Sequence, residues 1–204
     1  RGVYEIGQYG ETTMVYTDPA AQYYDKFSCA FLLDGCLYGY AEGYFSDDFS
    51  NFGSPAFLKV DFSTGEVLEK VDIDSTISWV SPPAYNPEDG YFYFFTRNYE
   101  LARATTANPT EMEIVKQYDD FMDNVISLAY CPKDKALYGV NLNQRFVRID
   151  FDGTQSVISD IPDKNAHGTF QAAMAYAPAE DIFYWTYQSN DGTTSLYTLS
   201  TDGL

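Results

Sequence analysis

The side chains that most often carry out chemistry are scarce in this sequence. It contains one histidine, His167, and three cysteines, Cys29, Cys36 and Cys131. A single histidine excludes a multi-histidine metal site within the chain, and the cysteine spacing matches no metal motif. No G-x-S-x-G nucleophile motif occurs either. We therefore expect no metal ion, no other cofactor and no catalytic nucleophile.

Carboxylates are abundant, with 30 Asp and Glu against 12 Lys and Arg, which gives a net charge of −18. The D-x-D-G motif at Asp150–Gly153 supplies too few oxygen ligands to hold calcium. No spacing singles out a carboxylate pair of the kind that hydrolyses glycosides. The alternative function is a hydrolase or lyase that uses carboxylates with Arg97 or Arg145 in a central channel. It stays open because 30 acidic residues could form many different carboxylate pairs.

Charge and hydropathy exclude two classes of partner. A protein that binds nucleic acid needs a basic surface, which this acidic chain lacks. The sequence contains no run of about eighteen apolar residues, so we expect no membrane insertion. The chain begins with Arg1 rather than Met, so we expect that an upstream segment was removed.

Two of the cysteines flank one turn, in the stretch SCAFLLDGCLY. If the Asp-Gly pair forms a two-residue hairpin turn, Leu33 faces Cys36 and Cys29 faces Tyr40. The two thiols are then not opposite each other, which argues against a disulfide between them. We expect all three cysteines to be unpaired small side chains buried in strands.

One hairpin pattern recurs along the chain. It reads PAYNPEDGYFYFF at Pro83–Phe95, LAYCPKDKALYGV at Leu128–Val140 and MAYAPAEDIFYWT at Met174–Thr186, with a weaker copy, CAFLLDGCLYGY, that begins at Cys29. The first alanines of the three strong copies are 45 and 46 residues apart. An alternating strand, a polar turn and another strand follow each copy, as in FVRIDFDGTQSVI. A repeated unit of four short strands, here called A to D, is typical of a β-propeller blade.

These observations predict an all-β protein: a β-propeller of four-stranded antiparallel blades of about 45 residues, which is a partial or a small ring. Aromatic residues, at 18%, also favour strands. Within a single propeller region over residues 1–204, we place a C–D half blade at 1–17, blades at 27–73, 79–117 and 126–160, and a blade that lacks its last strand at 170–204. We expect further blades from the same full-length chain; a small closed ring and a non-propeller β architecture are the alternatives.

The repeated residues resemble those of known propeller families. Ala129–Pro132 with Leu137-Tyr138, and the stretches Phe57–Gly65 and Phe146–Gly153, resemble the A–B and C–D hairpins of YncE-like, YVTN-type and quinoprotein-type propellers. The resemblance covers most of the chain and implies the architecture rather than a function, because these positions are turn and core residues. The acidic, aromatic composition is also similar to that of exported propellers of gut Bacteroidetes, which implies an extracellular, cell-surface or periplasmic location.

We expect the repeated residues themselves to be structural. The Tyr that follows an apolar residue in each hairpin alternates in a strand and should pack between blades. Pro and Asp in NPEDG, CPKDK and APAED should set the turns, with each Asp bonding its own backbone.

Function in a propeller is expected on the loops that join strand B to C and strand D to the next A, since rigid scaffolds display functional loops. In this chain those loops combine aromatic rings, which stack on ligands, with planar polar groups, which orient them. The candidate binding residues are Tyr23, Tyr24, Tyr44, Asp47, Asp48, Trp79, Arg97, Asn98, Tyr99, Asn141, Asn143, Arg145 and His167. The same loops also contain Phe121, Met122 and Asn124.

The longest loop insertion reads AEGYFSDDFSNFGSP and has two interpretations. Long loops in compact domains are often functional, but this one could equally cover an edge between blades. We predict a non-enzymatic binding module that presents its loop face to a glycan, peptide or protein partner. An enzyme would instead gather two carboxylates and an Arg or His around one pocket.

Overall fold

A computed structural model describes residues 2–6, 12–17, 26–42, 44–45, 51–52, 55–73, 81–161, 172–188 and 194–203. The chain divides into two compact units, Arg1–Thr76 and Ile77–Leu204. Nearly all of the described regular structure is antiparallel β-sheet.

The described residues of the first unit form one four-stranded sheet and two two-stranded pairs. The sheet has the order β3-β4-β7-β8, and β1 pairs with β2 and β5 with β6. The strands are β1 (Gly2–Ile6), β2 (Thr12–Thr17), β3 (Lys26–Leu33), β4 (Cys36–Glu42), β5 (Tyr44–Phe45), β6 (Asn51–Phe52), β7 (Ala56–Asp61) and β8 (Val67–Asp72).

In the part of the second unit that the structure describes there are three sheets, each a meander of consecutive antiparallel strands. We name them sheet I (β9–β12), sheet II (β13–β16) and sheet III (β17–β19). The strands are β9 (Ala84–Asn86), β10 (Tyr91–Phe95), β11 (Glu100–Thr105), β12 (Glu113–Gln117), β13 (Val125–Cys131), β14 (Ala136–Asn141), β15 (Arg145–Ile149), β16 (Gln155–Asp160), β17 (Ala173–Ala177), β18 (Ile182–Gln188) and β19 (Thr194–Ser200). A short 3-10 helix, Phe121–Asp123, lies between β12 and β13.

The predicted fold class is confirmed: the protein is all-β, and its four larger described sheets are antiparallel propeller blades of four strands, with three in sheet III. Residues of the repeated hairpins form β13–β14 and β17–β18, and their second halves form β15–β16 and β19. Within the described residues, no helix has the length and apolarity that crossing a bilayer requires.

The hairpin around Cys36 confirms one register prediction and corrects another. Asp34 and Gly35 both have positive φ, 50° and 73°, as a two-residue hairpin turn requires, and Leu33 pairs with Cys36. A bulge in β3 then shifts the register, so that Ser28, not Cys29, faces Tyr40. The prediction for Cys29 was therefore wrong by one residue.

The cysteines agree only in part with the expectation of buried free thiols. Cys131 is free and fully buried. Cys36 is free but only half-buried, because it lies beside the exposed turn that precedes β4. The side chain of Cys29 lies outside the described part of the chain.

Apolar side chains fill the space between neighbouring sheets of the second unit. Phe95, Leu128 and Leu137 belong to one buried cluster, which joins sheets I and II, and Phe146 and Phe183 belong to a second, which joins sheets II and III. All five of these side chains are at most 1% exposed. Since each ring or branched side chain of this size stabilises by about 1.5–3 kcal/mol when fully buried, sheet-to-sheet packing dominates the stability of this unit.

Three of the four repeated tyrosines, Tyr38, Tyr93 and Tyr138, are buried as expected, whereas Tyr184 is 36% exposed. Two of the buried ones also make a bond that the sequence analysis did not predict. The hydroxyls of Tyr93 and Tyr138 donate to carboxylates four residues upstream, Asp89 and Asp134, each at 2.8 Å. Asp89 also accepts a hydrogen bond from the backbone N–H of Tyr91. The same carboxylate therefore holds both the turn backbone and a side chain of the following strand. The sequence signal was present: an acid precedes the repeated Tyr by four residues in every copy.

Candidate functional site

Three loops of the second unit lie together at one end of sheets I and II. They are the B–C turn of sheet I (residues 96–100), the connection from β12 to β13 (residues 118–124) and the B–C turn of sheet II (residues 141–145). We call these residues the loop surface. They contain six of the thirteen sequence-predicted candidates.

Hydrogen bonds tie the three loops to one another. The backbone N–H of Leu142 donates to Asn124 O at 3.0 Å, and that of Asn143 donates to Met122 O at 3.2 Å. The side-chain amide of Asn124, which is buried, donates to Thr96 O at 3.4 Å. The loop surface is therefore a preorganised structure rather than three independent turns.

The two B–C turns share one backbone design. Tyr99 and Gln144 occupy equivalent positions with φ of 63° and 59°, a region that costs non-glycine residues about 1–2 kcal/mol. Each donates its N–H back across the turn, Tyr99 to Thr96 O and Gln144 to Asn141 O. A strained conformation fixes the direction of the Tyr99 side chain, because the turn bonds hold it in place.

Asn141 serves the turn rather than the surface. Its Oδ1 accepts from the backbone N–H of Arg145 at 3.1 Å, and the residue is 2% exposed. Thr96 has the same place in sheet I, where its hydroxyl donates to Glu100 at 2.8 Å. An Asn at the start of a turn commonly bonds the backbone in this way, so this candidate leaves almost no surface for a ligand.

An aromatic pair forms the apolar part of the loop surface. Tyr99 and Phe121 meet edge to face, with ring centroids 5.3 Å apart and planes at 65°. Phe121 is 44% exposed although it is a large apolar side chain. The 3-10 helix that presents it is capped by Asp120, whose carboxylate accepts from the N–H of Met122 at 2.9 Å.

Polar side chains surround this pair. Arg97 and Asn98 are exposed on the turn that precedes Tyr99, and Asn143 is half-buried on the neighbouring turn. Among the described residues, Arg97 has no hydrogen-bond or ion-pair partner. Arg145 is exposed, and its Nε lies 3.4 Å from Asp160 Oδ1, whose side chain is 83% exposed.

The other candidates cannot be placed on this surface. Tyr23, Tyr24, Asp47, Asp48, Trp79 and His167 lie outside the described residues. Tyr44 belongs to β5 in the first unit, and its side chain is also outside the described part. Of the predicted set, the structure therefore brings together Arg97, Asn98, Tyr99 and Asn143, with Arg145 at the margin. It adds Phe121, which the loop position alone had not singled out.

The carboxylates whose pKa is shifted are structural. Hydrogen bonds from Ser63 and Thr64 lower the pKa of Asp61, and those from Thr154 lower the pKa of Asp152. A general acid needs a raised pKa, which is the opposite shift. In the described ranges, no group of three or more His, Cys, Asp or Glu side chains is placed to hold a metal ion.

Comparison with known proteins shows the fold and no more. No protein-family model and no curated protein sequence matches the chain. A protein of unknown function from Bacteroides thetaiotaomicron is similar in structure, with a TM-score of 0.57 and 17% identity over 87% of this chain and 42% of that one. The extracellular domain of a protein named as a hybrid two-component system, from the same organism, gives a TM-score of 0.50 and 12% identity over 100% of this chain and 24% of that one. The chain spans less than half the length of each.

Proposed function

We propose that the protein is a non-enzymatic binding module, and that its loop surface holds a glycan, peptide or protein partner. The observation that supports this most directly is the exposed ring of Phe121, which meets the half-buried ring of Tyr99 on hydrogen-bonded loops. Large apolar side chains in water are unfavourable, so an aromatic pair that the backbone holds at the surface is typical of a binding site.

The polar side chains around the pair suit such a ligand. Arg97, Asn98 and Asn143 offer donors and acceptors within the same loops as the rings. Rings that stack, together with planar groups that orient, are the usual way to recognise a sugar ring or a peptide. Because the loops are already bonded to each other, binding orders few additional residues, which favours affinity.

The enzyme alternative gains no support from the described residues. It requires a carboxyl group that is desolvated next to Arg97 or Arg145. The carboxylate nearest to Arg145 is that of Asp160, which is 83% exposed and remains hydrated. An exposed acid on an outer strand is a poor general acid.

We also propose that the protein has an extracellular, cell-surface or periplasmic location and that it belongs to a subgroup of propellers similar to the YVTN type. The likeness to an extracellular domain and the repeated hairpin residues are consistent with these two proposals. Detection of the native protein in a secreted or envelope fraction would test the first.

The proposed function is tested by removing the aromatic pair. We expect Tyr99→Ala and Phe121→Ala to reduce binding on glycan and peptide arrays by about tenfold or more, as loss of a central aromatic contact usually does. Ile114→Ala is the matched control, since Ile114 is 42% exposed on the outer strand β12, away from the loops. Array signals that the two loop variants leave unchanged would show that the proposal is wrong. Trp79→Ala and Tyr44→Ala extend the same test to the remaining loops.

A further inference from the structure

Three carboxylates of the loop surface lie beside its exposed aromatic ring. Asp119, Asp120 and Asp123 are each within two residues of Phe121 in the chain. Since consecutive Cα atoms are about 3.8 Å apart, all three lie within about 8 Å of Phe121, measured between Cα atoms. Asp119 and Asp120 are exposed, and Asp123 is half-buried. The screening length at physiological salt is also about 8 Å, so the field of these carboxylates reaches the ring.

The protein itself does not neutralise these carboxylates. In the part of the chain that the structure describes, no lysine or arginine lies within ion-pair distance of Asp119, Asp120 or Asp123. The loops also contain one cation without an ion-pair partner in the described residues, Arg97. Three unpaired carboxylates outweigh this one guanidinium group, and the whole chain has a charge of −18. The loop surface therefore attracts cations and repels anions.

The arrangement of the two rings suits a long cationic side chain better than a flat sugar ring. The planes of Tyr99 and Phe121 meet at 65°, so the edge of one ring lies against the face of the other. This geometry leaves no broad platform on which a sugar could stack across both rings. The face of an aromatic ring attracts a lysine or arginine side chain, and the methylene groups of that side chain can lie along it.

The molecule holds one of its own arginines by the same two kinds of group. The Cζ atom of Arg103 lies 4.4 Å from the centroid of the Tyr91 ring. Its Nε and Nη2 donate to the two carboxylate oxygens of Glu113, both at 3.0 Å. A ring face and a carboxylate thus fix a guanidinium group in this fold. Phe121 and the aspartates beside it offer the same combination to a partner.

A buried acceptor between the same loops lacks a donor. Asn124, which ends the 3-10 helix, is 1% exposed, and its side-chain nitrogen donates to Thr96 O. Among the described residues, its Oδ1 accepts no hydrogen bond. A buried acceptor without a donor is unfavourable, and ammonium and guanidinium groups carry donors only. The carboxylates and this amide oxygen therefore match a ligand that is positively charged and rich in donors.

We propose that the partner of the loop surface is a protein segment rich in lysine or arginine, one side chain of which lies on the Tyr99–Phe121 pair and is bonded by Asp119 or Asp123. This inference rests on the proposed function and narrows its three ligand classes to one. Arg97 remains available to donate to backbone carbonyls of the segment, which are uncharged acceptors. Acidic glycans and acidic peptides are the ligands that this surface repels.

An array of random octapeptides, printed beside neutral and acidic glycans, tests this choice with the full chain. We expect the bound peptides to contain lysine or arginine at least about twice as often as the array does, because complementary charge selects the partner. Asp119→Asn combined with Asp123→Asn should reduce their binding by about five- to tenfold, since two surface charge pairs are lost. The double variant should also make binding less sensitive to salt between about 50 and 300 mM.

Glu111→Gln combined with Asp202→Asn is the matched control. It removes the same charge from two exposed acids, in the turns that follow β11 and β19. The six residues of β11 separate Glu111 from the loop surface by about 20 Å, so peptide binding should change by less than about twofold. Circular dichroism checks that both double variants fold, and the selection of peptides by the unmodified chain stands even if one does not.

The other outcomes distinguish failure of this inference from failure of the proposed function. Bound peptides without an excess of lysine or arginine, or bound glycans whose signal Phe121→Ala abolishes, would overturn the inference and leave the loop surface as a binding site. Basic peptides whose binding falls equally in both double variants would show attraction by the whole acidic chain and no site at these loops. If no signal on any array depends on Phe121, the proposed function fails as well.

Discussion

Single hydroxyl groups join neighbouring sheets in the second unit. The Tyr118 ring stacks on Phe95 with centroids 5.6 Å apart, and its hydroxyl donates to Gly153 O at 2.7 Å. This bond is buried and connects the end of β12 in sheet I to the C–D turn of sheet II. A tyrosine here therefore fills apolar space and also satisfies a carbonyl that would otherwise be buried without a partner.

Removing that hydroxyl should destabilise the protein measurably. We expect Tyr118→Phe to lower the free energy of unfolding by about 1–3 kcal/mol, because it leaves the Gly153 carbonyl without a donor. Tyr184→Phe is the comparison: that hydroxyl bonds Glu180 in an exposed setting, so its loss should cost less than about 0.5 kcal/mol. Urea unfolding of both variants measures the difference, and equal losses would contradict the assignment of Tyr118.

At the scale of elements, glycine and bulge positions are linked. β13 has a bulge between Val125 and Ser127. Gly139 pairs with the adjacent Leu128, and a Cβ on Gly139 would overlap the Ser127 carbonyl oxygen and a Val125 methyl group. β3 has its bulge in the same region, with Gly39 opposite Ala30. At Gly139 the bulged strand comes so close that only glycine leaves room for it.

Two glycine substitutions can distinguish the steric clash of a Cβ at Gly139 from the backbone strain that any residue other than glycine has at positive φ. Gly139→Ala should lower the free energy of unfolding by about 3 kcal/mol, since backbone atoms cannot move aside as a flexible side chain can. Gly90→Ala, in open space with φ of 76°, should cost only the backbone strain of about 1 kcal/mol. Thermal or urea unfolding decides, and a smaller loss at Gly139 than at Gly90 would contradict the link to the bulge.

The sequence predicts the elements well where the signal is local and repeated. The Asp-Gly turn sets the Leu33–Cys36 pairing, and spaced copies of one hairpin predict the blades. The bulge at Ser28–Ala30 was missed because a bulge is a property of two paired strands. Among the described A–B hairpins, a Gly after Leu-Tyr, at Gly39 and Gly139, occurs in the two whose register shifts.

The candidate site was predictable as a set of loops but not as a geometry. Arg97, Asn98 and Tyr99 could be placed in one turn from the strand pattern. The meeting of Tyr99 with Phe121 depends on a tyrosine at a positive-φ position, which is occupied by Gln144 in sheet II, and on the 3-10 helix that Asp120 caps. Asn141 was predicted to bind a ligand because, in a loop sequence, an asparagine that bonds the turn backbone cannot be distinguished from one that faces a ligand.

For the molecule as a whole, tyrosine side chains contribute more to the stability of the fold than charged side chains do. Ion pairs such as Lys135–Glu88 and Arg148–Asp150 are solvent-exposed on both sides, and each is worth at most about 1 kcal/mol. A net charge of −18 also repels itself. Stability therefore rests on the aromatic clusters, and 19 of the 36 aromatic residues can ionise in alkali.

Alkali should consequently unfold this protein through its tyrosines. Burial is the main cause that raises the pKa of Tyr93 and of Tyr118 to about 12, from an ordinary value of 10.0. Below pH 10 both the folded and the unfolded chain keep these hydroxyls protonated, so their contribution is fully present. As the pH rises from about 10 to about 12, the unfolded chain ionises first and binds fewer protons, and the free energy of unfolding falls.

Tyr118→Phe tests directly whether the free energy of unfolding falls with rising pH for this reason, because the variant lacks one of the titrating hydroxyls. In the window between about pH 10 and 12, one fewer such group makes stability fall less steeply, by up to about 1.4 kcal/mol per pH unit. The variant starts less stable at neutral pH, where it lacks the bond to Gly153, so its deficit relative to the unmodified chain should shrink as the pH approaches about 11. Urea unfolding at the two pH values, with tyrosinate absorbance followed in parallel, measures the deficit. A deficit that is the same at both would show that the Tyr118 hydroxyl ionises as easily in the folded chain as in the unfolded one.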